Sequence, residues 1–116
     1  MWRDSALLLD MLLAAREVRT FASGLDWPAF AADRLMQAAC QHQLQVIGEA
    51  ASMVSPEFRA AHAEIDWTRI IGLRHRLVHD YNRIDLAKIW TIINERLDPL
   101  IASLEPLVPP DDGGVG

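Results

Sequence analysis

Ile70 to Ile84 is the part of the chain whose residue types could do chemistry. From Arg69 to Arg83 it carries four arginines, Arg69, Arg74, Arg76 and Arg83, against one acid, Asp80, so a stretch of +3 sits inside a protein of −5. Such a segment can form a local anion site. It also holds His75, His79 and Tyr81, two of the four histidines and the single tyrosine. An arginine can grip phosphate oxygens with a bidentate fork and stabilise charge developing on phosphorus. An imidazole, with an ordinary pKa of ~6.5, can give or take a proton near neutral pH. Together these are groups that could hold a phosphate and move a proton beside it. On a continuous helix Arg74 and Tyr81 share a face, whereas His79 lies about 140° round from Arg74 at 3.6 residues per turn. One helix therefore does not aim Arg74 and His79 at one atom unless it ends or unwinds near His79, or a second subunit completes the site.

Helical periodicity fills most of the sequence, and no window shows strand alternation bounded by hairpin turns, so the expected fold is all-α. Asp4 or Ser5 is placed to cap a first helix with the stripe Leu8, Leu9, Leu12, Leu13, Val18 and Phe21, stopped at Ser23-Gly24. Asp26-Trp27-Pro28 restarts the chain, and Asp33 begins a long helix to about Val54 with the stripe Leu35, Ala39, Leu44, Ile47, Ala51 and Val54. Ser55-Pro56-Glu57 opens a short helix to about His62, Asp66 caps one from Trp67 to about His79, and Asp85 caps the last from Leu86. There Ile89, Trp90, Ile92, Ile93 and Leu97 face the core, and Pro99 should bend or interrupt the helix. The arrangement expected is an up-and-down antiparallel bundle of four to five helices over residues 1–108, with a disorder-prone tail at 109–116.

At 116 residues and 51% hydrophobic, the chain suits one domain whose apolar surplus serves a helical core and a subunit interface. The balance of −5 argues against coating DNA or an anionic membrane by bulk charge. A single cysteine, Cys40, excludes an intrachain disulfide framework and fits a reducing compartment. Ala6 to Ala15 resembles a leader only superficially, since Asp10 interrupts it, and no stretch has the 18 or more apolar residues of a spanning helix. A cytoplasmic location is the expectation.

The string Arg74, four residues, His79, one residue, Tyr81 resembles the R-x4-H-x-Y motif of HepT-like proteins, a branch of the HEPN superfamily. Gly48-Glu49-Ala50, Glu57-Phe58, Ile65-Asp66-Trp67, Ile71-Gly72-Leu73, Ile84-Asp85 and Ile89-Trp90 fall in matching order, so the resemblance runs from about Asp4 to Val108. It implies a homodimeric helical bundle acting as a metal-independent ribonuclease, the toxin of a toxin-antitoxin pair that needs no cofactor. It implies a partner, a cognate minimal nucleotidyltransferase that silences the toxin by transferring AMP to Tyr81. Arg74 and His79 would then be catalytic, and His75 would orient Arg74 or assist proton transfer. One histidine cannot be base and acid for the same bond, so two copies across a two-fold axis are the economical solution. His42-Gln43 departs from the Arg-Asn that many relatives present to the site.

Other readings stand beside this one. His75 and His79 have the i, i+4 spacing of a zinc pair, but the nearby sequence offers no third ligand. His42 and His62 read as ordinary surface or half-buried residues, Trp67 and Trp90 as core or interface anchors, and Trp2 and Trp27 as closing helix ends. The alternative function is a non-catalytic HEPN adaptor that binds a nucleotidyltransferase.

Overall fold

The computed structural model describes residues 2–80 and 83–109. Among these residues seven α-helices follow one another: α1 (Trp2–Ala22), α2 (Trp27–Ala32), α3 (Arg34–Met53), α4 (Pro56–Ala61), α5 (Trp67–His79), α6 (Leu86–Glu95) and α7 (Leu97–Leu104), closed by a 3-10 turn at Glu105–Leu107. No strand occurs among the described residues, and no helix there is long and apolar enough to cross a membrane.

Side-chain caps set most of the boundaries. Asp26, Asp33, Asp66 and Asp85 accept from the backbone N–H groups of Ala29, Met36, Arg69 and Ala87, satisfying donors that a helix start leaves unpaired. Pro28 and Pro56 occupy first turns, where their missing N–H costs nothing. The break between α6 and α7 falls at Arg96, as Pro99 requires: its ring excludes the carbonyl of Glu95 four residues back. With the short α2, that break accounts for seven helical segments where four to five were expected.

The start of α1 differs from expectation. Asp4 caps nothing at its own helix; it lies inside the first turn, only 4% exposed. Its carboxylate accepts from the Ser55 backbone N–H at 2.9 Å and the Ser55 hydroxyl at 2.7 Å. Ser55 Oγ in turn accepts from the Phe58 N–H and so caps α4. Asp4 thus fixes the α3–α4 corner to α1, and those hydrogen bonds, led by the backbone one, hold its carboxyl below the usual aspartate range.

Helix α3 is central, packed against α1 on one side and α5 on another, with α7 against α1. Pairs Glu17–Gln43 and Asp4–Ser55 show α1 and α3 running antiparallel, and Arg16–Glu105 and Arg19–Asp98 show the same for α1 and α7. Leu8, Met11, Leu12, Ala15 and Val18 of α1 meet Cys40, Leu44, Ile47 and Ala51 of α3 in the core. Three residues of the expected stripes are exposed instead: Leu9, Leu13 and Leu35, the last at 82%. On α1 the buried arc is centred on Met11 and Ala15, which puts Leu9 and Leu13 outside it. Leu35 sits in the first turn of α3, before that helix enters the core. Trp67 is buried and its indole N–H donates to the His62 carbonyl, while half-buried Trp90 packs on Phe30 beside Trp27. The tail from Pro110 onward lies outside the described residues.

Candidate functional site

Helix α5 displays the motif because its buried sector is narrow. Trp67 and Leu77 face the core, and burying a side chain such as Leu77 contributes about 1.5–3 kcal/mol. That sector fixes the helix's rotation and sends the polar residues in three directions.

Arg74 falls between Trp67 and Leu77 around the helix, on the side that meets α3. A Cβ at Gly48 would stand 2.2 Å from the Arg74 Cβ, 2.9 Å from its Cγ and 3.1 Å from the Ile70 carbonyl oxygen. Only the absence of a side chain at 48 lets α5 approach α3 this closely, with the arginine stem lying against the α3 backbone. The Arg74 head then pairs with the next residue, Glu49, Nη2 to Oε2 at 2.7 Å. Around them a shallow groove of about 300 Å³ is formed by α1, α3 and α5, where Asp10, His42 and Glu49 join Arg74, and Val46, Met53 and Val78 supply apolar wall.

His75 and His79 project elsewhere. Helix α5 stays regular to His79, its last residue, so the 140° separation from Arg74 persists within one chain. The two imidazoles lie against each other, ring centroids 4.3 Å apart and planes tilted 46°. Both residues are exposed. No cluster of three or more His, Cys, Asp or Glu residues fit to hold a metal occurs among the described residues. Tyr81 lies outside the described residues.

The remaining arginines go a third way. Arg69, Arg76 and Arg83 line a separate cleft of about 860 Å³ between α5 and the α6–α7 arm, floored by side chains such as Ile70, Leu73 and Ile92. The basic segment therefore does not form one basic cleft of +3. Arg74 stands beside Asp10 and Glu49, because at about 100° per residue Arg69 and Arg76 share one face of α5 and Arg74 lies roughly 140–160° away from them.

One residue of the site is beyond the reach of sequence reasoning. Glu49 was visible only as part of a flanking string, and its role follows from an inter-helix contact that no local pattern encodes. His42, which reads as an ordinary surface or half-buried residue and stands where the resemblance has relatives present an arginine to the site, is exposed and borders the Arg74 groove, about two helical turns before Glu49 on α3. His62 is half-buried, as expected of an ordinary residue: it stacks on Phe58 at 4.2 Å and pairs with Glu64.

Comparison with known proteins agrees with the motif. The family described as "Ribonuclease HepT-like" matches residues 11–107. "Putative RNase MJ1380" of Methanocaldococcus jannaschii is 30% identical over 100 residues, 86% of this chain and 92% of that protein. "Probable ribonuclease HepT" of Thermococcus cleftensis is 28% identical over 100 residues, 86% of this chain and 91% of its own length. No solved structure matches the chain. With the matched span containing the whole Arg74-to-Tyr81 motif and the glycine that seats its arginine, the chain belongs to the ribonuclease HepT-like family of the HEPN superfamily.

Proposed function

We propose that the protein is a metal-independent endoribonuclease whose active site is shared between two copies of the chain. The observation that carries this reading is the fixed divergence of Arg74 and His79. Arg74 is seated in the α3 groove through Gly48, and α5 remains helical to His79, so one chain cannot bring both to a single phosphate. A second copy supplies the missing group, and the same two-fold axis provides two imidazoles, one for each proton transfer. Val78 and Met53, 37% and 46% exposed beside Arg74, offer apolar surface for that contact. Arg74 binds the scissile phosphate and stabilises the phosphorane. One His79 takes the 2′-hydroxyl proton and the other protonates the leaving 5′-oxygen, giving a 2′,3′-cyclic phosphate and a 5′-hydroxyl. His75, packed on His79, supports its orientation.

The ribonuclease acts in this reading as the toxin of a toxin-antitoxin pair. The antitoxin is a minimal nucleotidyltransferase that adds AMP to Tyr81, two residues beyond His79, where a bulky anion would exclude the substrate phosphate. Its support is the R-x4-H-x-Y string and the family membership.

The decisive assay is degradation of mixed-sequence RNA in EDTA by wild type, Arg74→Ala and His79→Ala. Loss of ~10²–10³-fold in each variant is expected from removing a transition-state donor or a proton-transfer group. Equal rates in all three would identify a contaminating nuclease and favour the adaptor reading. Co-expression with the nucleotidyltransferase should add AMP to the Tyr81 peptide, and its persistence in Tyr81→Phe would remove that site assignment.

A further inference from the structure

We infer that Glu49 is a positioning residue for Arg74, an inference that rests on the ribonuclease reading above. Two consecutive residues of α3 hold the arginine at two points. Gly48 admits the stem, whose Cβ and Cγ occupy the space of an absent side chain, and Glu49 takes the head at Nη2, 2.7 Å away. A stem held by packing and a head held by charge leave the guanidinium little rotational freedom. Glu49 contacts it through Nη2, so donors on Nε and Nη1 remain to meet a phosphate.

The pair's surroundings argue for orientation rather than stability. The Arg74 side chain is 34% exposed and that of Glu49 54%. At such exposure an ion pair contributes little to folding, because solvent screens it and two long side chains lose freedom. Glu49 also carries a cost for substrate binding, since a carboxylate stands beside the cation that must attract phosphate, with Asp10 in the same groove. An acid in that place weakens the ground-state grip on RNA. It fits a site in which a preoriented arginine serves the transition state more than the bound substrate.

The test is single-turnover cleavage of a short mixed-sequence RNA in EDTA by wild type, Glu49→Ala, Glu49→Gln, Arg74→Ala and Glu49→Ala/Arg74→Ala. Melting temperatures confirm that each variant is folded. Glu49→Ala should lose ~10–100-fold in cleavage rate, the scale of a displaced catalytic group. Glu49→Gln, which keeps an acceptor for Nη2, should recover most of that loss and bind RNA more tightly. In the Arg74→Ala background Glu49→Ala should cost nothing further, because its effect runs through the arginine. Wild-type rates in Glu49→Ala alongside an inactive Arg74→Ala would overturn the role of Glu49 and leave the ribonuclease reading standing. So would a faster Glu49→Ala that saturates at lower enzyme concentration, which would make Glu49 a competitor of substrate phosphate. An Arg74→Ala as fast as wild type would instead bring down the ribonuclease reading itself.

Discussion

Arg74 and Gly48 occupy adjoining space so closely that a methyl group on the glycine would lie 2.2 Å from the arginine's Cβ. Both atoms are near the backbone, so neither can swing aside as the end of a long side chain could. Helix propensity alone would make Gly48→Ala favourable by about 1 kcal/mol. Overpacking costs about 1–3 kcal/mol and here meets the Ile70 carbonyl as well, so Gly48→Ala should be destabilising. Gly72 on α5 is the internal control: a Cβ there meets nothing within 4 Å, and Gly72→Ala should stabilise by up to about 1 kcal/mol. Urea unfolding of the two variants checks the pair, and a stabilised Gly48→Ala would contradict the close approach.

Asp4 gives the fold a defined response to acid. Its carboxyl is held below the usual aspartate range by the Ser55 backbone N–H, then by the Ser55 hydroxyl, against the opposing effect of burial. A depressed folded pKa means that this contribution is complete above the unfolded value and is lost as pH falls through the lower folded one. Asp4→Asn should therefore cost about 1.5–3 kcal/mol at pH 7, the worth of hydrogen bonds to a charged group. The gap between variant and wild type should close on acidification below about pH 4. A gap that is unchanged at pH 3 would show that the Asp4 charge is not what holds the α3–α4 corner.

Cys40 is fully buried in the core, and burial pushes its thiol up to about 11. Both the missing access and the missing thiolate make it inert in the folded state. Labelling with a thiol-reactive disulfide at pH 8 should proceed only at the rate of unfolding, and rise to the free-thiol rate in denaturant. Prompt labelling of the native protein would place Cys40 outside the core.

The shared-site reading predicts a dependence on Val78. As an exposed helical residue it should tolerate Val78→Glu with a change in monomer stability within about 0.5 kcal/mol. If the surface beside Arg74 is the contact between copies, the variant should sediment as a folded monomer and lose RNA cleavage along with Arg74→Ala. A dimeric, fully active Val78→Glu would move the interface away from this groove.

Much of this protein was legible in the sequence because its signals are local. Aspartates at 26, 33, 66 and 85 begin helices through hydrogen bonds spanning two or three residues, and Pro99 ends one through its own ring. The all-α class and most helix boundaries needed nothing beyond such patterns, the motif of Arg74 and His79 needed the family resemblance of its flanks as well, and the 140° between those residues follows from helix geometry alone. Tertiary packing decided what local patterns cannot carry. Asp4 looked like a cap for its own helix, but a partner 51 residues away claimed its carboxylate. Leu9, Leu13 and Leu35 looked like core, but which arc of a helix is buried depends on where its neighbours stand. Four nearby arginines looked like one basic patch, but the rotation of α5 sent Arg74 to the α3 groove and Arg69 and Arg76 to another cleft, which Arg83 beyond the helix also lines. The contact of Gly48 with Arg74, and the Glu49 pair it permits, exist only where two helices meet, because a missing side chain has meaning only through what fills its place.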